Sequence, residues 1–177
     1  MRHSLLAVTL LALSCSATAA AKLELAFSEP EKYTDIRSAT ESKARFQQRV
    51  LNRFEQFFTE LANQMPEGYQ WQVTVTDIDL AGDVDYFAGG AGQAMRIVKD
   101  IHSPAIRFSH QLRDQYGEEV LSADERLRDM GFMHRLSSTG IRPEFEFEQK
   151  MLEDWFSKTV QVQLDAHASL APKVSQP

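Results

Sequence analysis

The sequence predicts an α+β fold, a mostly antiparallel sheet with two amphipathic helices packed on one face. Three observations carry this. Apolar residues recur every three or four positions from Phe46 to Met65, alternating runs joined by short turns fill the middle of the chain, and a second helical repeat runs from Met151 to Val160. Residues 22–165 are read as one α+β domain, residues 1–21 as a signal peptide and residues 166–177 as a flexible C-terminal tail.

The opening reads Met-Arg-His, an apolar stretch from Ser4 to Leu13, then small residues to Ala21 before the first later charge at Lys22. A positive start, a core too short to span ~30 Å of hydrocarbon and an Ala-rich end are the marks of a cleavable signal, with cutting expected after Ala19 or Ala21. The alternative is a lipoprotein anchored through Cys15, because Ala12-Leu-Ser-Cys15 resembles a lipobox. Cys15 is the single cysteine, so ordinary cleavage leaves a chain without thiols and the core must rest on packing. No later segment approaches eighteen consecutive apolar residues, so no transmembrane span is expected after the signal.

Lys22–Ser28 alternates, with Leu23, Leu25 and Phe27 on one face, and reads as a half-buried strand. Ser38-Ala-Thr-Glu41 has the spacing of a capping box. Phe46, Val50, Phe54, Phe57, Leu61 and Met65 then form the apolar stripe of a helix stopped by Pro66-Glu-Gly68. Tyr69–Thr76 is a strand with Trp71, Val73 and Val75 inward. Phe87–Gly92 is expected as a flexible loop, Met95–Lys99 and Ala105–Leu112 as strands, and Glu118–Ser122 as a further short strand. Residues 123–136 admit two readings: Ser122 and Glu125 offer a second capping box, whereas Met130 and Phe132 fit a strand. Glu144–Glu148 alternates, and Met151, Leu152, Trp155, Phe156 and Val160 belong to a closing helix of about four turns.

The 177 residues carry 19 Lys+Arg and 25 Asp+Glu, a formal charge of −6, and 43% are hydrophobic. The acidic balance and the lack of a basic run exclude the footprint of a phosphate-backbone binder, so nucleic acid is not an expected partner.

Taken in order, Phe27–Arg37, Val75–Gly82, Arg96-Ile-Val, Pro104–Arg107, Glu125–Met130 and Glu148–Phe156 are similar to successive blocks of the bacterial domain of unknown function family 3016. That resemblance covers nearly the whole chain after the signal. It implies an exported protein of a Gram-negative bacterium, periplasmic or envelope-associated, and supplies no catalytic residue. The Gly89-Gly-Ala-Gly92 loop lies outside those blocks.

The sharpest polar feature is Asp77-Ile-Asp79-Leu-Ala81-Gly82-Asp83-Val-Asp85. Its carboxylates and glycine follow part of a calcium-loop spacing, but Ala81 and Ala88 stand at two ligand positions, leaving the shell short of the six to eight oxygens calcium needs. Asp77, Asp79, Asp83 and Asp85 are therefore weak metal candidates, and a strand end and turn is the favoured reading. His102, His110, His134 and His167 lack a paired ligand spacing, although a zinc site assembled in space from the first three with an aspartate stays open. Ser109, Ser137 and Ser138 have no context marking an activated hydroxyl, and no nucleotide-binding glycine motif is present, so no cofactor is expected. Asp35, Asp77, Asp79, Asp129 and Asp154 could supply a carboxylate pair for glycan cleavage, but Arg37, Arg96, Arg107 and Arg126 offer them structural ion pairs instead.

The expected function is a non-catalytic binding or assembly module of the cell envelope, recognising a protein, peptide or glycan through its sheet face or edge. The alternative is an envelope glycan or peptide hydrolase using an aspartate pair or a weak metal site around Asp77–Asp85. A binder should present an apolar groove or unpaired strand, and a hydrolase a concave pocket with converging carboxylates.

Overall fold

The computed structural model describes residues 21–89, 93–135 and 143–170. Strand β1 (Lys22–Phe27) leads through a short 3-10 turn at Pro30–Lys32 to helix α1 (Lys43–Ala62). Strands β2 (Gln70–Asp79), β3 (Asp83–Gly89), β4 (Gln93–Ile97), β5 (Ala105–Arg113) and β6 (Glu119–Arg128) follow. A 3-10 turn at Phe132–Arg135 and helices α2 (Glu146–Lys158) and α3 (Val160–Leu170) complete the described chain.

The main sheet has the order β1-β2-β5-β6, and β3 and β4 form a separate hairpin. The expected α+β class holds, but the main sheet is mixed: β1 pairs with β2 in parallel, while β2–β5 and β5–β6 are antiparallel. Parallel neighbours need a long crossover, and α1 with its flanking loops supplies one between β1 and β2. Between Val75 and Asp77 a bulge interrupts the β2 register. The extra residue resets the two-residue alternation, so that both Val75 and Ile78 are fully buried.

The helices cover one face of the main sheet. Phe46, Val50, Phe54, Phe57, Leu61 and Met65, the stripe read from the sequence, are all buried, joined by Phe58 and Ala62. Phe58 meets Trp71 and Phe108 at ring distances of 5.6 and 5.5 Å, and Trp155 of α2 stacks at 6.4 Å on Trp71 and edge-on at 4.9 Å against Phe108. These contacts bind α1, α2 and the two central strands into one core.

Several local expectations need correction. Ser38 Oγ does accept the Glu41 amide, at 3.1 Å, but in a turn ahead of the helix, which starts at Lys43. The Glu41 carboxylate is instead drawn to Arg49, two turns into α1. Phe87–Gly89, expected as loop, belong to β3; positions 90–92 lie outside the described residues. Strand β6 continues through Arg128, so Ser122 and Glu125 sit in a strand, paired with Gln111 and Phe108 of β5, rather than in a capping box. The chain then turns into the 3-10 segment that holds Phe132. The closing helix begins at Glu146, inside the Glu144–Glu148 alternation, and breaks at Thr159 into α2 and α3. Residues 166–170, expected in the tail, are helical, and 171–177 lie outside the described residues.

Candidate functional site

The polar architecture concentrates where the ends of β2 and β4 meet the N-terminus of α2. After β2 the chain reverses through Leu80, Ala81 and Gly82. Gly82 has φ +79°, and a Cβ there would lie 2.5 Å from the Ile97 carbonyl oxygen, so glycine alone fits this close approach to β4. The segment around Asp35 lies alongside the end of β2: the Asp35 amide donates to Ile78 O at 3.1 Å, and the Leu80 amide donates to Asp35 O at 3.2 Å.

Asp35 is buried and accepts from both flanking arginines, Arg37 Nε at 3.0 Å and Arg96 Nη1 at 2.9 Å. Arg96 also donates to the carbonyls of Ala81, Gly82 and Arg37 at 3.2, 3.0 and 2.8 Å. One guanidinium thus clamps the β2–β3 turn to the Asp35 segment, the planar recognition for which arginine is suited.

The four aspartates of the Asp77–Asp85 run do not converge on a common centre. Asp77 accepts from the Thr34 amide and hydroxyl at 2.7 and 2.8 Å. Asp79 pairs with Arg128 at 3.3 Å, and burial pushes its carboxyl up against the pull of that arginine. Asp83 pairs with Arg37 at 2.9 Å, and Asp85 accepts the Phe87 amide at 2.8 Å. Among the described residues no group of three His, Cys, Asp or Glu could hold a metal ion. Of the other carboxylates, Asp129 accepts the Gly131 amide at 3.1 Å, and Asp154 lies on α2. Arg37 and Arg96 take the carboxylate-pairing role read from the sequence, whereas Arg107 and Arg126 face each other across β5 and β6, both exposed.

The histidines are dispersed. His110 is buried beneath α2, His167 pairs with Asp114 at 3.2 Å, His102 accepts the Gly82 amide through its carbonyl, and His134 sits in the 3-10 turn after β6. Ser109 lies on β5, and Ser137 and Ser138 fall outside the described residues.

Sequence reasoning missed Glu148. It occupies the first turn of α2, is 2% exposed, and accepts the Ala81 amide through Oε1 at 2.7 Å. Burial raises its carboxyl above the ordinary range, against the amide bonds and the nearby Arg96 that favour the charged form. A signal for it existed: position 148 falls on the inward stripe that continues through Met151, Leu152, Trp155 and Phe156, so a carboxylate was placed where an apolar residue was due. Three residues earlier, Phe145 holds φ +61° and ψ +31°, the left-handed region a bulky side chain rarely adopts. Its ring lies 6.2 Å from that of Phe46, and the Arg49 guanidinium covers both. Arg49 in turn binds Glu41 and Glu144.

These groups surround a cavity of about 380 Å³. Among the described residues its apolar wall includes Phe46, Leu80, Met95, Val98, Phe145 and Phe147, and its polar wall includes Arg37, Arg49, Arg96, Glu144 and Glu148. That size and mixture are those of small-ligand pockets. Beside it the β3–β4 hairpin exposes large apolar side chains, Phe87 at 88% and Tyr86 and Met95 at about half. No helix among the described residues is long and apolar enough to cross a membrane.

No curated protein and no solved structure matches the chain. A family model described as "Protein of unknown function (DUF3016)" matches residues 21–158, which span all the strands, α1 and α2 of the architecture above, and the chain belongs to that family.

Proposed function

We propose that the protein is exported to the periplasm, losing residues 1–21 on the way, and acts there as a non-catalytic binding module of the cell envelope whose ligand site is the cavity between α1, α2 and the β3–β4 hairpin. The single observation that carries this reading is the cavity itself: apolar walls joined to a few fixed polar groups, at a junction of secondary elements. The exposed Tyr86, Phe87 and Met95 on the hairpin beside it extend the apolar surface outward, which suits a module that meets a second molecule while holding a small one. Export is supported by the charge, apolar core and small-residue end of the first 21 residues. Hydrolysis is the weaker reading, because Asp35, Asp77, Asp79, Asp83 and Asp85 are each engaged by a protein donor instead of facing one another across a cleft.

The test has two arms. Mass spectrometry of the protein recovered from a periplasmic fraction is expected to give an N-terminus after Ala19 or Ala21; an intact Met1 in the cytosol would remove the export reading. Extracts of envelope small molecules, passed over wild type and over Ala94→Trp, which narrows the cavity from β4, are expected to leave a ligand on wild type alone. Equal retention by both, or turnover of envelope glycans or peptides by wild type, contradicts the binding reading.

A further inference from the structure

The polar wall of the cavity holds an unequal set of charges. Arg37, Arg49 and Arg96 are its three guanidiniums, and Glu144 and Glu148 its two carboxyls. Arg37 is held by Asp35 and Asp83, Arg49 by Glu41 and Glu144, and Arg96 by Asp35. Every guanidinium is therefore already matched by carboxylates before Glu148 is reached. Of the two wall carboxyls, Glu144 belongs to one of these pairs and Glu148 to none of them. Glu148 has the Ala81 amide on Oε1. Ionised, it would be a nearly fully buried anion with amide donors and a neighbouring arginine already engaged elsewhere, an arrangement that disfavours the charge unless a cation completes it.

The remaining wall suits the rest of such a cation. Phe46, Phe145 and Phe147 with Leu80, Met95 and Val98 offer an apolar lining, and Arg49 lies 4.9 Å over the Phe46 ring, so positive charge is already stabilised on an aromatic face in this wall. An anionic ligand would meet two wall carboxyls, Glu144 and Glu148, and three guanidiniums that Asp35, Asp83, Glu41 and Glu144 already engage. A neutral apolar ligand would fill the volume and leave Glu148 as it is.

We infer that the cavity takes a small organic ammonium compound, its apolar body against Phe145, Phe147, Met95 and Leu80 and its ammonium on the carboxylate of Glu148. This rests on the cavity being a ligand site, as proposed above, and adds the class of ligand. Binding converts a destabilised lone carboxyl into a hydrogen-bonded ion pair, so the charge of the ligand, and not its apolar bulk alone, decides affinity.

Calorimetric titration of the full chain with 2-phenylethylammonium, 2-phenylethanol and 3-phenylpropionate tests this. The expected order is ammonium, then alcohol, then carboxylate, with the ammonium bound about tenfold or more tightly than the alcohol. Glu148→Gln is expected to bring the ammonium down to the affinity of the alcohol, and Ala94→Trp to weaken both probes together. Should Glu148→Gln fail to fold, the order of the three probes on wild type and their common loss in Ala94→Trp still decide. Carboxylate binding as tight as ammonium, or an ammonium preference that survives Glu148→Gln, overturns the ligand class while leaving the cavity as a binding site. Ammonium binding unchanged in Ala94→Trp, or no saturable binding of any probe, removes the cavity and the class with it.

Discussion

Two buried ionisable side chains, His110 on the sheet beneath α2 and Glu148 in the first turn of α2, have surroundings that differ in kind. His110 is closed in by aromatic rings, with Phe108, Trp155 and Trp71 at 5.7, 5.2 and 6.3 Å. The Trp71 indole N–H donates to its Nδ1 at 3.2 Å, so in the neutral ring the proton sits on Nε2, which points toward Glu125 at 3.6 Å without forming a hydrogen bond. Glu148 is as deeply buried, yet it forms part of a cavity wall and holds a backbone amide. Burial lowers the acidity range of His110 and raises that of Glu148, because it disfavours the charged form of each. One environment is filled with protein and has a structural result; the other has room for a guest.

The largest expected effect breaks the Glu148 side. Gly82→Ala forces a side chain into a left-handed residue and against the Ile97 carbonyl, and displaces the turn that brings the Ala81 amide to Glu148. A loss of about 2–4 kcal/mol in denaturant unfolding is expected. Gly117→Ala is the control, with the same sign of φ but open space around it, and should cost only about 1 kcal/mol.

On the His110 side, Trp71→Phe removes the indole donor from a buried acceptor and leaves a gap beside Trp155, for an expected loss of about 2–3 kcal/mol. Glu148→Leu strands the Ala81 amide and should cost about 1–3 kcal/mol, whereas Glu148→Gln keeps an acceptor there and should cost less. Equal losses for the leucine and glutamine variants would show that the amide contact contributes nothing.

The smallest effects separate the two groups by sign. For His110 the folded protein binds its proton less readily than the unfolded chain, so this contribution to stability is present above the ordinary value of 6.5 and is lost as pH falls below it. For Glu148 the folded protein binds the proton more readily, so stability declines as pH rises from the ordinary value of 4.5 toward the raised folded value, and Asp79 adds to that decline. Each group can contribute at most about 1.4 kcal/mol per pH unit. Chemical denaturation across pH 4–8 should lose its acid-side fall in His110→Gln and flatten its decline above pH 4.5 in Glu148→Gln. A shared response of both variants would mean that the two sites are not independent.

Much of the scaffold is legible in the sequence because it repeats. The Phe46–Met65 stripe spans several turns and has one geometric solution, and the alternation of Trp71, Val73 and Val75 has another. Legibility fails where the period is short or disguised. Glu144–Glu148 satisfies two-residue alternation and also begins the helical series Phe147–Met151 and Glu148–Leu152, so five residues do not choose between strand and helix. Strand β6 carries Asp124, Glu125, Arg126 and Arg128, whose charges hide an alternation that emerges only when the strand is paired with β5 along its length. The parallel placement of β1 depends on the path of the crossover, which no local run of residues encodes.

The site was legible in part. The blocks around Asp35, Asp77–Gly82 and Arg96 mark the right end of the molecule, and the ion pairs of Arg37 and Arg96 follow from charge matching. The calcium-like spacing of Asp77–Asp85 sends its four carboxylates to separate partners, because the run is split between the end of β2 and the start of β3, which belong to different sheets, and is not wrapped as one loop round a centre. Glu148 comes from nearly seventy residues away and meets Ala81 only through the packing of α2, a distance at which spacing rules carry no information.

The measurement that bears most directly on the central claim is a carbon-13 NMR titration of the Glu148 carboxyl, assigned by its disappearance in Glu148→Gln, with and without 2-phenylethylammonium. A midpoint above 4.5 is expected in the free protein, with a fall in that midpoint when the ammonium is added. A midpoint at or below 4.5 that the probe leaves unmoved would contradict that claim.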